Sequence, residues 1–203
     1  MFKPILTERD TAKLYHRMLP PDIRQYLNGR GIPDTIIDRQ LLGWNGKSIT
    51  IPVFGHDGHE VLTFRLAKSP KDTSDSPKIL SEPGTWAELY GWETLAREPH
   101  RVVICEGEFD RLVLEANGIP AVTSTAGAHV FLPHWAKHFE RIPRVYICFD
   151  RDPAGHDGME KVRRILPQAT IVELPAERQG RHHRLLRPSR KEHRRLRLAD
   201  RSG

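Results

Sequence analysis

The 203-residue chain carries 32 Lys and Arg against 26 Asp and Glu, a net charge of +6, with 38% hydrophobic and 29% charged residues. That is enough apolar content for one or two small cores, and no apolar run approaches the roughly 20 residues of a membrane helix. The net charge is unevenly placed: residues 177–203 carry +7 and residues 1–176 carry −1, so the basic character belongs to the tail.

The opening Met1–Glu8 lacks the apolar core and cleavage site of a signal peptide, so a cytoplasmic chain is expected. Residues 8–18 suit a short amphipathic helix, broken at Leu19-Pro20-Pro21. Asp22–Leu27 reads as a second helix, stopped by Gly29 and Gly31, and Pro33–Arg39 as a third with acid in its first turn. Leu41–Trp44 closes this helical opening. Ser48–Phe54 and Glu60–Leu66 form a hairpin about His56-Asp57-Gly58-His59, Asp-Gly being a strong turn signal. Ser69–Pro77 has loop composition, Lys78–Ser81 is a short extended piece, and Trp86–Trp92 is expected to be helical.

From Arg101 the pattern alternates strand and helix. Val102-Val103-Ile104-Cys105 runs into Glu106-Gly107-Glu108-Phe109-Asp110, and Val145-Tyr146-Ile147-Cys148-Phe149 runs into Asp150-Arg151-Asp152. Short β-branched and aromatic runs bounded by turn signals read as strands buried on both faces. Helices are expected over 111–116, 133–139 and 158–166, and further strands over 121–123 and 170–174. The fold class is therefore α/β, an open and mainly parallel sheet flanked by helices, preceded by a smaller α+β part with a hairpin. In such sheets functional groups sit beyond the carboxyl ends of the strands, so Glu106, Asp150 and Asp152 are expected to converge. Clustered carboxylates need cations, and hard oxygen donors suit Mg²⁺ or Mn²⁺.

Glu-Gly-x-x-Asp after one strand and Asp-x-Asp after a later one resemble the TOPRIM domain of bacterial primases, topoisomerases and certain nucleases. Three features resemble the primase branch: the small-residue stretch Ala121–Ala128, the continuation Asp152-Pro153-Ala154-Gly155, and the upstream half. There Tyr26–Ile32, Leu42-Gly43-Trp44, the hairpin, Pro77–Ser81 and Glu88–Gly91 follow in the order of the primase core. The resemblance covers about Leu19 to Pro175. It implies a division into an amino-terminal subdomain (1–98), a TOPRIM domain (99–176) and a basic tail (177–203). It also implies metal ligation by Glu106, Asp150 and Asp152, with Asp110 as a further member of the acidic site, and nucleotide or template contacts from Arg65 and Lys78. Glu108 stands at a motif position that varies within the family.

Each residue also has an ordinary structural role open to it. Glu106 suits an exposed turn, Asp150 and Asp152 a helix cap, and Asp110 a partner of a helix dipole. Arg65 and Lys78 suit solvated surface charges. Gly127 is either an ordinary turn glycine or a close approach to phosphate. His134 and His138 have metal-binding spacing but no third ligand nearby, which favours an exposed pair. Cys105 and Cys148 read as small buried hydrophobes. The chain has no Cys-x-x-Cys and no phosphate-binding Gly-x-x-x-x-Gly-Lys motif, so neither a zinc ribbon nor an ATP-driven motor is encoded here.

Where related primases carry a third acidic element, this chain turns Arg-rich. One reading is an arm that binds nucleic-acid backbone. The preferred one is a frameshifted form of the family's ending: allowed codons for Glu177–Gly203, read one nucleotide later, yield a Gly-Arg-Asp element, a second Asp and a Tyr-Phe pair. The resemblance thus implies a DNA primase catalytic core of phage, plasmid or integrated-element type, making RNA primers on single-stranded DNA from nucleoside triphosphates, with a helicase acting in trans. The alternatives are a TOPRIM nuclease and a catalytically inactive nucleic-acid-binding remnant of a primase. A topoisomerase is disfavoured, because the chain has no room for the domain carrying a catalytic tyrosine.

Overall fold

The computed structural model describes residues 7–127 and 129–173. The tail from residue 177, and with it the frameshift reading, lies outside the described residues, as do Ala128 and Leu174. Three helices open the chain: α1 (Glu8–Arg17), α2 (Pro21–Gly29) and α3 (Asp34–Arg39). Thr7 and Asp10 form a reciprocal capping box on α1, and Pro21 starts α2, where its missing N–H costs nothing.

A four-stranded antiparallel sheet follows, in the order β1 (Gly43–Trp44), β2 (Ile49–Phe54), β3 (Val61–Ala67), β4 (Ile79–Ser81). Gly43–Trp44 is thus an edge strand rather than the end of the helical opening. Gly43 is required there because a Cβ would lie 2.5 Å from the Tyr15 backbone of α1. All six residues of β2 are buried. One face meets Ala12 and Phe64, and the other the cluster of Leu27, Ile37 and Leu42. In the hairpin, Asp57 Oδ1 accepts from the His59 and Glu60 amides at 2.7 and 2.9 Å, and Gly58 supplies the left-handed residue.

The second sheet has the order β5 (Leu89–Tyr90), β7 (Ala121–Ser124), β6 (Arg101–Cys105), β8 (Arg144–Cys148), β9 (Thr170–Ile171). It is parallel except for β5. The expected helix over 86–92 is replaced by β5 and a short α4 (Trp92–Leu95). The break falls at Gly91, whose φ is +121° and whose Cβ would lie 2.8 Å from Val122 Cγ1. Only glycine lets the backbone lie this close against β7.

Alternate residues of β6 and β8 enter different cores. Val102, Ile104, Val145 and Ile147 pack with Trp135, Phe139, Met159 and Val162. Val103, Cys105, Tyr146 and Cys148 pack with Ile119 and Leu114. Both faces are covered, one by α5 (Glu108–Ala116), the other by α6 (Pro153–Ile165) and the 3₁₀ turn Pro133–Phe139. Two faces of apolar contact account for the unbroken apolar runs in the sequence. Both cysteines are free thiols held neutral by burial, Cys148 pushed up to about 11.

A buried polar joint ties α5 to the amino-terminal half. The fully buried Arg111 guanidinium pairs with Glu93, donates to Ala121 O at 3.2 Å and stacks 4.0 Å over the Tyr90 ring. Gln40 of the segment after α3 reaches Glu115 of α5 at 3.0 Å. No helix among the described residues is long and apolar enough to cross a membrane.

Candidate active site

β6 and β8 are adjacent parallel strands in register from Arg101↔Arg144 to Cys105↔Cys148. Both acidic motifs therefore leave the sheet side by side at the same edge. The chain goes from β6 to β7 on one side, then crosses to β8 on the other. This is the topological switch point of an open sheet, where a crevice opens between diverging connections.

Glu106 follows β6 directly and is half-buried. Its Oε2 accepts from the Asp150 amide at 2.9 Å, which joins the two motifs by a hydrogen bond. Burial raises the Glu106 pKa, and the carboxylates of Asp150 and Asp152 push it further the same way. Asp110 lies in the first turn of α5. Burial first, then Asp150 and Glu106, push it up to about 6, with Arg30 opposing. Glu106 and Asp110 are thus both disfavoured as anions, first by burial and then by the neighbouring acids.

Asp150 and Asp152 are exposed. Asp152 is the N-cap of α6, its Oδ1 accepting from the Gly155 amide at 2.8 Å. The helix begins at Pro153 rather than near Gly158, because proline at N1 needs no hydrogen bond. The role of helix cap weighed for Asp152 in the sequence is therefore realised in this geometry. Among the described residues no three acids, histidines or cysteines stand close enough together to hold a metal ion. The donor set is nonetheless all oxygen, and its mutual repulsion is what a hard divalent cation relieves.

Arg65, expected at a nucleotide groove, is buried. Its Nε donates to Glu108 Oε1 at 2.5 Å and its guanidinium also donates to Ser81 Oγ on β4. Glu108, in the first turn of α5, is thereby the acid that fastens the first motif to the amino-terminal sheet. Lys78 is exposed just before β4 and makes no ion pair among the described residues. Gly127 lies in the loop after β7 with φ +84° and an exposed backbone. That loop borders Glu106: Thr123 Oγ1 donates to Glu106 O at 3.0 Å, and Glu106, Ser124 and Gly127 line one narrow crevice.

Two further residues make contacts that escape sequence reasoning. Arg30, at the end of α2, stacks 4.1 Å over the Phe109 ring and lowers the pKa of Asp110. Its sequence context is a helix end, and nothing local announces a partner 80 residues on. His138 is not an exposed pair-mate of His134. It stacks on His56 at 4.8 Å and meets Trp92 edge-on at 4.9 Å, because a 3₁₀ turn does not place residues four apart on one face.

A family model described as Toprim-like matches residues 103–181. The Gene 57 protein of Mycobacterium phage D29 is 34% identical over 99 residues, covering 49% of this chain and 64% of that protein. The DNA primase of Pseudomonas aeruginosa is 33% identical over 90 residues, which is 40% of this chain and 13% of the primase. The chain thus spans just under two thirds of the phage protein and a small part of the bacterial enzyme. A DnaG primase catalytic domain solved bound to ssDNA superposes with a TM-score of 0.73 at 24% identity, over 94% of this chain and 76% of that one.

Proposed function

We propose that this chain, which carries a Toprim-like domain and has the fold of the DnaG primase catalytic core, is a primase core that joins ribonucleotides into short primers on single-stranded DNA. The observation that carries the reading is the meeting of Glu106 and Asp150 from neighbouring strands at the switch point, linked at 2.9 Å. The Toprim-like match over residues 103–181 spans both acidic motifs.

Glu106, Asp150 and Asp152 would hold Mg²⁺ or Mn²⁺, with Asp110 behind them. When bound, a divalent ion supplies charge neutralisation for a triphosphate and aligns the attacking hydroxyl. The residues of the chain do the rest. The Glu106–Asp150 hydrogen bond fixes the spacing of the two motifs. The Arg65–Glu108 pair holds α5, and with it Asp110, against the amino-terminal sheet. Lys78 offers a cation to template or nucleotide phosphate, and the Gly127 loop offers an open backbone beside Glu106. Template and nucleoside triphosphates are the partners, in a cytoplasmic setting, with a replicative helicase supplied in trans.

Primer synthesis and nicking are assayed side by side on single-stranded and supercoiled DNA with Mg²⁺. Template-dependent primers made by the wild type and lost in Glu106→Gln bear the reading out. Metal-dependent nicking without primers replaces it by a TOPRIM nuclease. The use of one Asp152 oxygen as a helix cap favours a second reading, a nucleic-acid-binding module without catalysis. DNA binding by wild type and Glu106→Gln alike, with no product from either, selects it.

A further inference from the structure

We propose that Trp86 is a stacking platform for a nucleobase of single-stranded DNA at the rim of the carboxylate edge, a role that rests on the primase reading above. Trp86 is 88% exposed, whereas Trp92 and Trp135 are 5% and 1% exposed. It sits midway along the connection 82–88 between β4 and β5.

That connection is pinned at both ends to the segments bordering Glu106. It leaves β4 at Ser81, whose hydroxyl accepts from Arg65, the partner of Glu108 in the first acidic motif. It ends at Glu88, whose amide donates to Thr125 Oγ1 at 2.8 Å and whose carbonyl accepts from the Thr125 amide at 2.9 Å. Thr125 belongs to the loop that carries Gly127. Between these anchors Thr85 Oγ1 donates to Glu82 O at 2.8 Å, and Ala87 packs on the core. The indole is therefore presented on a short segment whose two ends are tied to elements that carry or border the acidic motifs.

An indole in open water gains when a base covers its face, and such stacking tolerates any base. Lys78, exposed just before β4 as Trp86 is exposed after it, offers a cation to the backbone of a strand whose base stacks on the ring. A strand offers both features, a base for the ring and a phosphate backbone for Lys78; a free nucleoside triphosphate offers the same chemistry, and the nucleotide-only arm of the test separates the two.

The test uses the full chain, a labelled oligo(dT) followed by anisotropy, and unlabelled oligo(dT) followed by tryptophan emission. The expected results are quenching of wild-type emission that is absent in Trp86→Ala, affinity reduced on the order of 10-fold in Trp86→Ala, and near wild-type affinity in Trp86→Phe. Wild-type affinity in Trp86→Ala overturns the proposal, as does equal loss in Trp86→Phe, or quenching by nucleoside triphosphate without DNA. In those cases the primase reading stands if primers are still made. A wild type that binds no oligo(dT) and makes no primers overturns both. Urea unfolding of each variant checks that the fold is retained.

Discussion

Arg65 of β3 and Glu108 of α5 form a buried ion pair, Nε to Oε1 at 2.5 Å, with side chains 9% and 6% exposed. It is the charge contact that fastens the first acidic motif to the amino-terminal sheet. In a low-dielectric setting each charge is costly without the other, so the pair acts as a latch more than as a source of net stability.

Removing one partner strands the other. Arg65→Ala or Glu108→Ala is expected to destabilise the fold by about 3–5 kcal/mol. Arg65→Met combined with Glu108→Leu removes both charges and is expected to cost less than either single change. Urea midpoints of the three variants read this directly. A double variant as unstable as the sum of the singles would show that the two charges do not depend on each other.

Asp110 sets a pH dependence. Its folded pKa of about 6 lies above the ordinary carboxylate value of 3.8, chiefly through burial and then through Asp150 and Glu106. The native state therefore holds this proton more tightly than the unfolded chain. The associated stability is fully present below about pH 4 and is lost as pH rises through about 6. Glu106 is shifted in the same direction and adds to it. Surface acids such as Asp34, held low by Asn28 and Arg24, act in the opposite sense, so the informative quantity is a difference between variants. In metal-free buffer, Asp110→Asn is expected to gain on the order of 2 kcal/mol over wild type between pH 4 and pH 7. Guanidinium unfolding at the two pH values measures it. A gain that does not change with pH would place Asp110 in a solvated setting.

Much of this arrangement was legible in the residues. The runs Val102–Cys105 and Val145–Phe149 read as strands because both faces are covered, and the acids that follow them could only leave at the strand ends. What sequence could not reveal depends on distant partners. Arg65 reads as a groove cation or a surface charge until Glu108, 43 residues on, takes it inside. Leu89–Tyr90 is too short to carry a period of its own, and becomes a strand because β7 offers an edge and Gly91 lets the backbone close on it. α6 starts earlier than expected because Pro153-Ala154-Gly155 resembles a turn, while proline at N1 and an aspartate cap make it a first helical turn.

Asp152 can be tested for two roles at once. Its Oδ1 caps α6 through the Gly155 amide at 2.8 Å, and its charge bears on Glu106 across the edge. Asp152→Ala removes both and is expected to cost about 0.5–2 kcal/mol of stability through the lost cap. Asp152→Ser keeps an accepting oxygen at N-cap and is expected to retain most of that stability, while removing the carboxylate from the acidic edge. If the charge serves the proposed chemistry, the serine variant unfolds near the wild-type urea midpoint yet loses primer synthesis and Mg²⁺-induced stabilisation. Wild-type synthesis in the serine variant would assign Asp152 to the helix alone and leave Glu106, Asp110 and Asp150 as the acids of the site.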